Sequence, residues 1–433
     1  MMKTNRRLRV PLLAAALCTL CLSEARSDTP PPPASQPAAQ ASIVDFGAIA
    51  DGKTLNTAAI QKAIDHLAAT GGGTLVIPKG TFLSGAIFLK AGVNLQVDKD
   101  GVLKGSTDIS NYPTMPTRIE GHFQPWRPAL VNADHVDHLR ISGEGTLDGS
   151  GQPFWTEFRS RYAADKTTKN LDVDRPRLVF IENSTDVQVS NLHFKDSGFW
   201  NLHVYNSNNV TIDGLDIRAG ATSPSTDGMD IDSSQNVTIH GCTISVNDDG
   251  IALKGSKGPF AMQDKSSPPV EHIRVSDCTF EQAGSILTVG SEATYVHDVV
   301  VTNCKAVGPA TRGLSVIKLK LRPDTPQDYE DIHFSDITLD GAGGIVSIQP
   351  WKQYFDLMGQ PAPTSTVKNV TATNIHGTFG SFGTIQGNPG DTISNITFEN
   401  IDVQLTNATP KLVGVDNLVI KNVKINGTDY KGP

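Results

Sequence analysis

Aromatic side chains are scarce in this 433-residue chain, at 6%, whereas glycine is frequent, at 39 residues. Few bulky core residues and many tight turns suit β architecture better than a helical bundle. Cysteine is sparse too. Of five cysteines, Cys18 and Cys21 fall in an N-terminal apolar run. The other three, Cys242, Cys278 and Cys304, sit in similar settings: Gly-Cys-Thr-Ile, Asp-Cys-Thr-Phe and Asn-Cys-Lys-Ala. This is neither a zinc spacing nor a disulfide framework, and it reads as small buried residues at one position of successive repeats. Positive charge is in deficit, with a net charge of −8. That argues against nucleic acid as a partner. An acidic sugar polymer stays open, because a local basic cleft can act within a negative protein.

The N-terminus has the form of an export signal. Lys3, Arg6, Arg7 and Arg9 precede an apolar run from Leu12 to Leu22, and Ser23 and Ala25 are small residues spaced for cleavage. The run is too short for a settled membrane anchor. Leu17 and Leu20, not small residues, precede Cys18 and Cys21, which excludes a lipoprotein signal. Residues 1–25 are thus expected to be a signal peptide. Residues 26–41, which contain Pro30 to Pro33, are expected to be a stiff linker. Cleavage removes four positive charges and one negative, leaving −11. The mature protein is expected in the periplasm or outside the cell, off the membrane, as a monomer.

What is abundant is one short phrase: a polar residue, alternating apolar residues, then Asn, Asp or Gly and another apolar residue. Examples are Asn209-Val-Thr-Ile-Asp-Gly-Leu215, Asn236-Val-Thr-Ile-His-Gly-Cys242 and Asp298-Val-Val-Val-Thr-Asn-Cys304. Aligned on the second apolar residue, the anchors are Val189, Ile212, Ile239, Val275, Val301, Phe334, Ala372, Phe398 and Ile420, at steps of 22 to 38 residues. A basal coil of 22–27 residues with loop insertions fits an all-β, right-handed parallel β-helix of about ten coils. Leucine-rich periodicity is missing, and a propeller would need larger repeats. One helix is expected over Thr57 to Ala69, where Ile60, Ala63, Ile64 and Leu67 share a face, with Asn56 as N-cap and Gly71 to Gly73 as terminator. It would cover the open end of the solenoid, so residues 42–433 are expected to form one catalytic β-helix domain.

Two acidic segments stand out: Ser225-Thr-Asp227-Gly-Met-Asp230-Ile-Asp232 and Asn247-Asp248-Asp249-Gly250-Ile-Ala-Leu-Lys254. Asp227 and Asp248 are 21 residues apart, close to one coil, so they are expected on adjacent strands about 4.8 Å apart. Carboxylates that close push at least one pKa up, leaving an acid beside a base, the pairing that glycoside hydrolysis needs. Asp-Gly pairs are also ordinary turn formers, and a calcium site is the other chemistry open to such a cluster.

These segments resemble glycoside hydrolase family 28, the polygalacturonase and rhamnogalacturonan hydrolase group. The resemblance runs from about Val44 to about Ile401 and is strongest at Asn247-Asp-Asp-Gly-Ile-Ala-Leu-Lys254. It implies Asp248 as the general acid, with Asp227 and Asp249 positioning and deprotonating a water. It also implies inversion at the anomeric carbon, with carboxyl groups roughly 6.5–9.5 Å apart. The implied substrate is an acidic plant cell-wall polysaccharide, with no cofactor or metal. Three family motifs depart here, the first being Asn-Thr-Asp, which reads Ser225-Thr226-Asp227. The Gly-His-Gly position falls near Gly284-Ser285-Ile286, without the histidine, and Lys318-Leu-Lys320 replaces Arg-Ile-Lys. Lys318, Lys320 and Arg322, at alternate positions of one strand, are expected to face a uronic carboxylate. Lys254, Glu292, His203 and Arg312 are further binding candidates, and Trp351, Tyr354 and Phe355 would stack on sugar or cap a coil. Two alternatives remain open: a calcium-dependent β-elimination lyase, and a non-catalytic glycan-binding β-helix.

Overall fold

A computed structural model describes residues 39–307 and 313–433. The expected signal peptide, nearly all of the linker, and Arg312 lie outside these residues.

The chain is a parallel β-helix of three stacked sheets. The first sheet runs through Val179–Glu182, Leu202–Tyr205, Met229–Asp232, Ile251–Lys254, Ser285–Val289, Ser315–Leu321 and Gly344–Pro350, each paired in parallel with the next. The second sheet carries the repeated phrase. All nine anchors, Val189 to Ile420, are cross-strand partners of their neighbours in the alignment. From Val189 to Phe398 they are buried in one continuous core. Short strands such as His193–Lys195, Asp216–Arg218 and Thr243–Ser245 build the third sheet.

The phrase works through its polar residues as well. Its first position and the position five later both adopt left-handed backbone, as at Asp186 and Asn191, Asn236 and Gly241, and Asn395 and Asn400, with φ between 54° and 64°. Asn, Asp and Gly enter that region at least cost, so they mark the corners where each coil turns. Their amides also bond up the stack, Asn417 to Asn395 at 2.8 Å and Asn422 to Asn400 at 2.9 Å. Cys242, Cys278 and Cys304 are buried free thiols beside such corners. Each donates to the carbonyl two residues before it, at 3.3 Å.

The helix α1 spans Thr57–Ala69 and buries Ile60, Ala63, Ile64 and Leu67, as its spacing requires. Asn56 corrects the capping expectation, because it makes no side-chain cap bond. Its buried amide instead bonds both backbone groups of Ile49 and the carbonyl of Thr54. Two insertions were not foreseen. One is the helix α2, Gln152–Ala164, anchored by Phe154, Trp155 and Phe158. The other is an antiparallel hairpin, Met115–Ile119 with His122–Trp126.

Candidate active site

Asp227 ends one loop just before Met229–Asp232, and Asp248 and Asp249 end the next just before Ile251–Lys254. These strands pair in register, Met229 with Ile251, so the 21-residue spacing brings the two loops together. One oxygen from each of Asp227, Asp248 and Asp249 lies within 4.8 Å of the others. This is a nearest-oxygen distance, and it does not by itself carry the stereochemistry. The following glycines are packing requirements rather than turn formers. A Cβ on Gly228 would stand 2.5 Å from the Gly250 carbonyl, and one on Gly250 would stand 2.5 Å from that of Ser285.

The three carboxylates have different surroundings. Asp249 is fully buried, and burial alone would raise its pKa. Lys318 and Lys320 outweigh it, each donating to one Asp249 oxygen at 2.7 Å, and hold the group well below the usual range. Asp227 has no such clamp. Burial, then the field of Asp248, pushes it up to about 7. Asp248 is the partly exposed member, open to the cleft. Behind them, Lys254 Nζ lies 3.7 Å from Asp227, 3.4 Å from Asp230 and 3.7 Å from Glu292. Its ammonium sits 4.7 Å over the Trp200 ring, and Lys320 sits 4.6 Å over Trp351. The cleft around these groups has a volume of about 330 Å³.

Ser285, at the position of the missing histidine, donates to Asp249 at 3.3 Å. A hydroxyl therefore supports the ionised carboxylate there. The same three carboxylates have oxygen donors suited to a hard cation. Both Asp249 oxygens, however, already face an ammonium group, which supplies the positive charge that an ion would bring.

Lys318, Lys320, Lys254 and Glu292 all line the cleft with the three aspartates. Arg322 does not, which corrects the expectation of a three-residue basic row. The strand ends at Leu321, and Arg322 is buried in a bidentate pair with Asp324, both contacts at 2.8 Å. Its guanidinium also donates to the carbonyls of Gln353 and Tyr354, so it braces the loop that carries Trp351. His203 is likewise corrected. It is fully buried beneath the cleft, beside Phe180 and Trp200, with Nδ1 2.7 Å from Arg177 and Nε2 3.4 Å from Asp232. Burial brings its pKa down to about 3. Trp351 and Tyr354 reach the cleft; Phe355, the next residue, is not among its lining residues.

Sequence reading missed Glu120, Asn170, Trp200 and Gln353, which also line the cleft. Glu120 and Asn170 come from insertions outside the repeat, and nothing local ties them to the carboxylates. Trp200 was quoted only as part of a motif, and its place two strands before Lys254 was the available signal.

A parallel β-helix that gathers three aspartates, two glutamates and three lysines in one cleft has the groups for acid–base chemistry on a sugar polymer. The chain belongs to the glycosyl hydrolases family 28, whose profile matches residues 69–429. It is 32% identical to a probable polygalacturonase of Vitis vinifera over 280 residues, 61% of this chain and 55% of that one. It is 27% identical to an exopolygalacturonase of Zea mays over 389 residues, 87% of this chain and 85% of that one. Its fold is similar to that of a hyperthermoactive exopolygalacturonase from Thermotoga maritima, with a TM-score of 0.63 and 23% identity over 89% of this chain and 92% of that one.

Proposed function

We propose that this glycosidase is exported and hydrolyses galacturonic acid linkages of pectin, in polygalacturonan or a rhamnogalacturonan backbone. The observation that carries the reading is the division of labour within the carboxylate cluster. Asp248 opens to the cleft, where the oxygen of a glycosidic bond can reach it. Asp249 is held ionised by two lysines, and Asp227 shares the field of Asp248. Burial, then the neighbouring carboxylate, raises Asp227, so the cluster keeps a proton below about pH 7. Asp248 delivers that proton to the leaving oxygen, and Asp249, with Asp227, orients and deprotonates the attacking water. Lys318, only partly buried, meets the uronic carboxylate as a point charge, with the buried Lys320 at the next cleft-facing position of the strand. Burial would lower the Lys318 pKa, but Asp249 outweighs it and raises it, which speaks against that lysine as the proton-abstracting base of a lyase. Residues 1–25 direct export, and the mature chain works as a monomer without a cofactor.

The test is incubation with polygalacturonate and with rhamnogalacturonan, following reducing ends and ultraviolet absorbance together, with and without chelator. Reducing ends without absorbance, insensitive to chelator, are expected. The first-formed anomer, read by proton NMR, is expected to be inverted. An absorbing, unsaturated product would replace hydrolysis with β-elimination, and binding without turnover would make the protein a glycan receptor.

A further inference from the structure

The outward face of the first sheet would form a long open groove if nothing lay on it. Its residues run in one register row through Phe180, His203, Asp230, Ala252, Thr288 and Lys318. Such a groove accepts a polymer anywhere along its length. In this chain it is walled on both sides of the carboxylates.

The hairpin Met115–Ile119 with His122–Trp126 lies across the row on one side. Arg118, fully buried, binds both oxygens of Asp232 at 3.0 and 3.3 Å. Arg177 donates to Thr117 at 2.7 Å and to the Arg118 carbonyl at 2.8 Å, and Phe123 packs edge-on against Tyr205. The turn of the hairpin reaches the catalytic cleft. Glu120 pairs with Lys257 at 3.5 Å, and Ser256 donates to the Gly121 carbonyl. On the other side stands the Trp351 loop, held by the Arg322–Asp324 pair.

The two walls also meet. Asn170 donates to Glu120 at 3.1 Å, and Lys169 Nζ lies 5.9 Å from the Tyr354 ring centre. Asn170, Gln353 and Tyr354 line both the cleft and a second, outer hollow of about 490 Å³ beside α2. They form the partition where the two spaces adjoin, opposite Ser225 and Asn247, which also line both. Asp248 lines both as well, so the proton donor sits at the doorway. The hollow carries Arg159, Lys166 and Tyr162, cations and an aromatic ring suited to acidic sugars.

We infer that the enzyme works from a chain end. The terminal sugar enters the closed cleft, the scissile bond lies at Asp248, and the remaining polymer leaves through the hollow beside α2. A mid-chain segment would have to thread beneath the bridge that Glu120, Asn170, Lys169 and Tyr354 make across the cleft, whereas a terminus only has to enter. This inference rests on the hydrolytic reading of the carboxylates.

The experiment follows polygalacturonate digestion by the full chain, with product size and viscosity read from the earliest times. Monomer as the dominant first product is expected, with viscosity falling only in step with mass released. A ladder of intermediate oligomers with an early collapse in viscosity would overturn the chain-end inference and leave hydrolysis standing. No reducing ends on polygalacturonate or rhamnogalacturonan would sink both. A double variant, Asn170→Ala with Tyr354→Ala, opens the partition without touching the Arg118–Asp232 anchor. It is expected to release oligomers that the wild type does not. An unchanged monomer-only pattern in that folded variant would show that the partition does not select chain ends.

Discussion

At the residue scale, the site depends on three like charges being kept unlike. Asp248→Asn removes the proposed proton donor, the partly exposed member, and leaves the buried pair and lysine clamp in place. Turnover on pectic substrate is expected to fall by roughly 10²–10⁴, with binding and thermal unfolding nearly unchanged, since a positioned acid contributes about that much. Retained activity in initial-rate assays would remove Asp248 from the acid role. Asp227 gives a stability prediction. Its folded pKa stands at about 7 against an ordinary 3.8, so its contribution is fully present below the ordinary value and is lost as pH rises through about 7. Asp227→Asn is therefore expected to gain on the wild type as pH rises from 4 to 8. At pH 8 its melting temperature should be higher by roughly 2 °C or more, as about 1 kcal/mol moves a large domain by 2–4 °C. A difference that is flat across this range would contradict the burial of that charge. The acidic cluster and the two lysines were legible because period-2 alternation and coil length are local rules. Arg322 was not, because the strand ends one residue before it and Pro323 follows. His203 was misplaced because Phe180, Trp200 and Arg177 cover it, and Arg177 is in turn tied to a hairpin some 80 residues earlier than His203 in the chain.

At the scale of elements, the coils owe their shape to corners rather than to strands, which are short. Asn395 is left-handed at φ 54°, and its amide donates to Asn369 at 2.9 Å. Asn395→Ala is expected to destabilise by about 1–2 kcal/mol in denaturant titration, the penalty for a Cβ in that region. Asn395→Gly should recover most of the loss, and equal losses would assign the effect to the amide ladder instead. The repeat and α1 were readable because both have strong periodicity. Each alignment anchor met its predicted neighbour, and α1 began and ended where its apolar stripe did. The helix α2 left a weaker trace. Its buried face is only Phe154, Trp155 and Phe158, clustered at one end. The hairpin carries Pro116 and Pro125 at paired positions, which argue against a strand in any local reading. These two irregular insertions shape the cleft, so the scaffold was more legible than the specificity it serves.

At the scale of the molecule, each coil is stabilised mainly by its neighbours, so the stack forms one continuous core from Ile43 to Ile425. The ladder of Cys242, Cys278 and Cys304 belongs to that core, and burial shields all three thiols once the coils have closed. Before closure the same thiols are exposed in whatever redox buffer surrounds the nascent chain. A disulfide of Cys278 with either neighbour ties adjacent coils that hold reduced thiols in the native stack, one between Cys242 and Cys304 ties coils that are not adjacent, and the third thiol is left to cross-link another molecule. The folded protein is thus expected to tolerate oxidant better than its folding does. Refolding from denaturant with oxidised glutathione is expected to give a lower yield than refolding with a reductant, whereas the native enzyme should tolerate the same oxidant. Replacing all three cysteines with alanine should abolish the difference in yield. Exported chains would then face a race between coil closure and oxidation, and the speed of compaction, rather than final stability, would limit how much active enzyme accumulates.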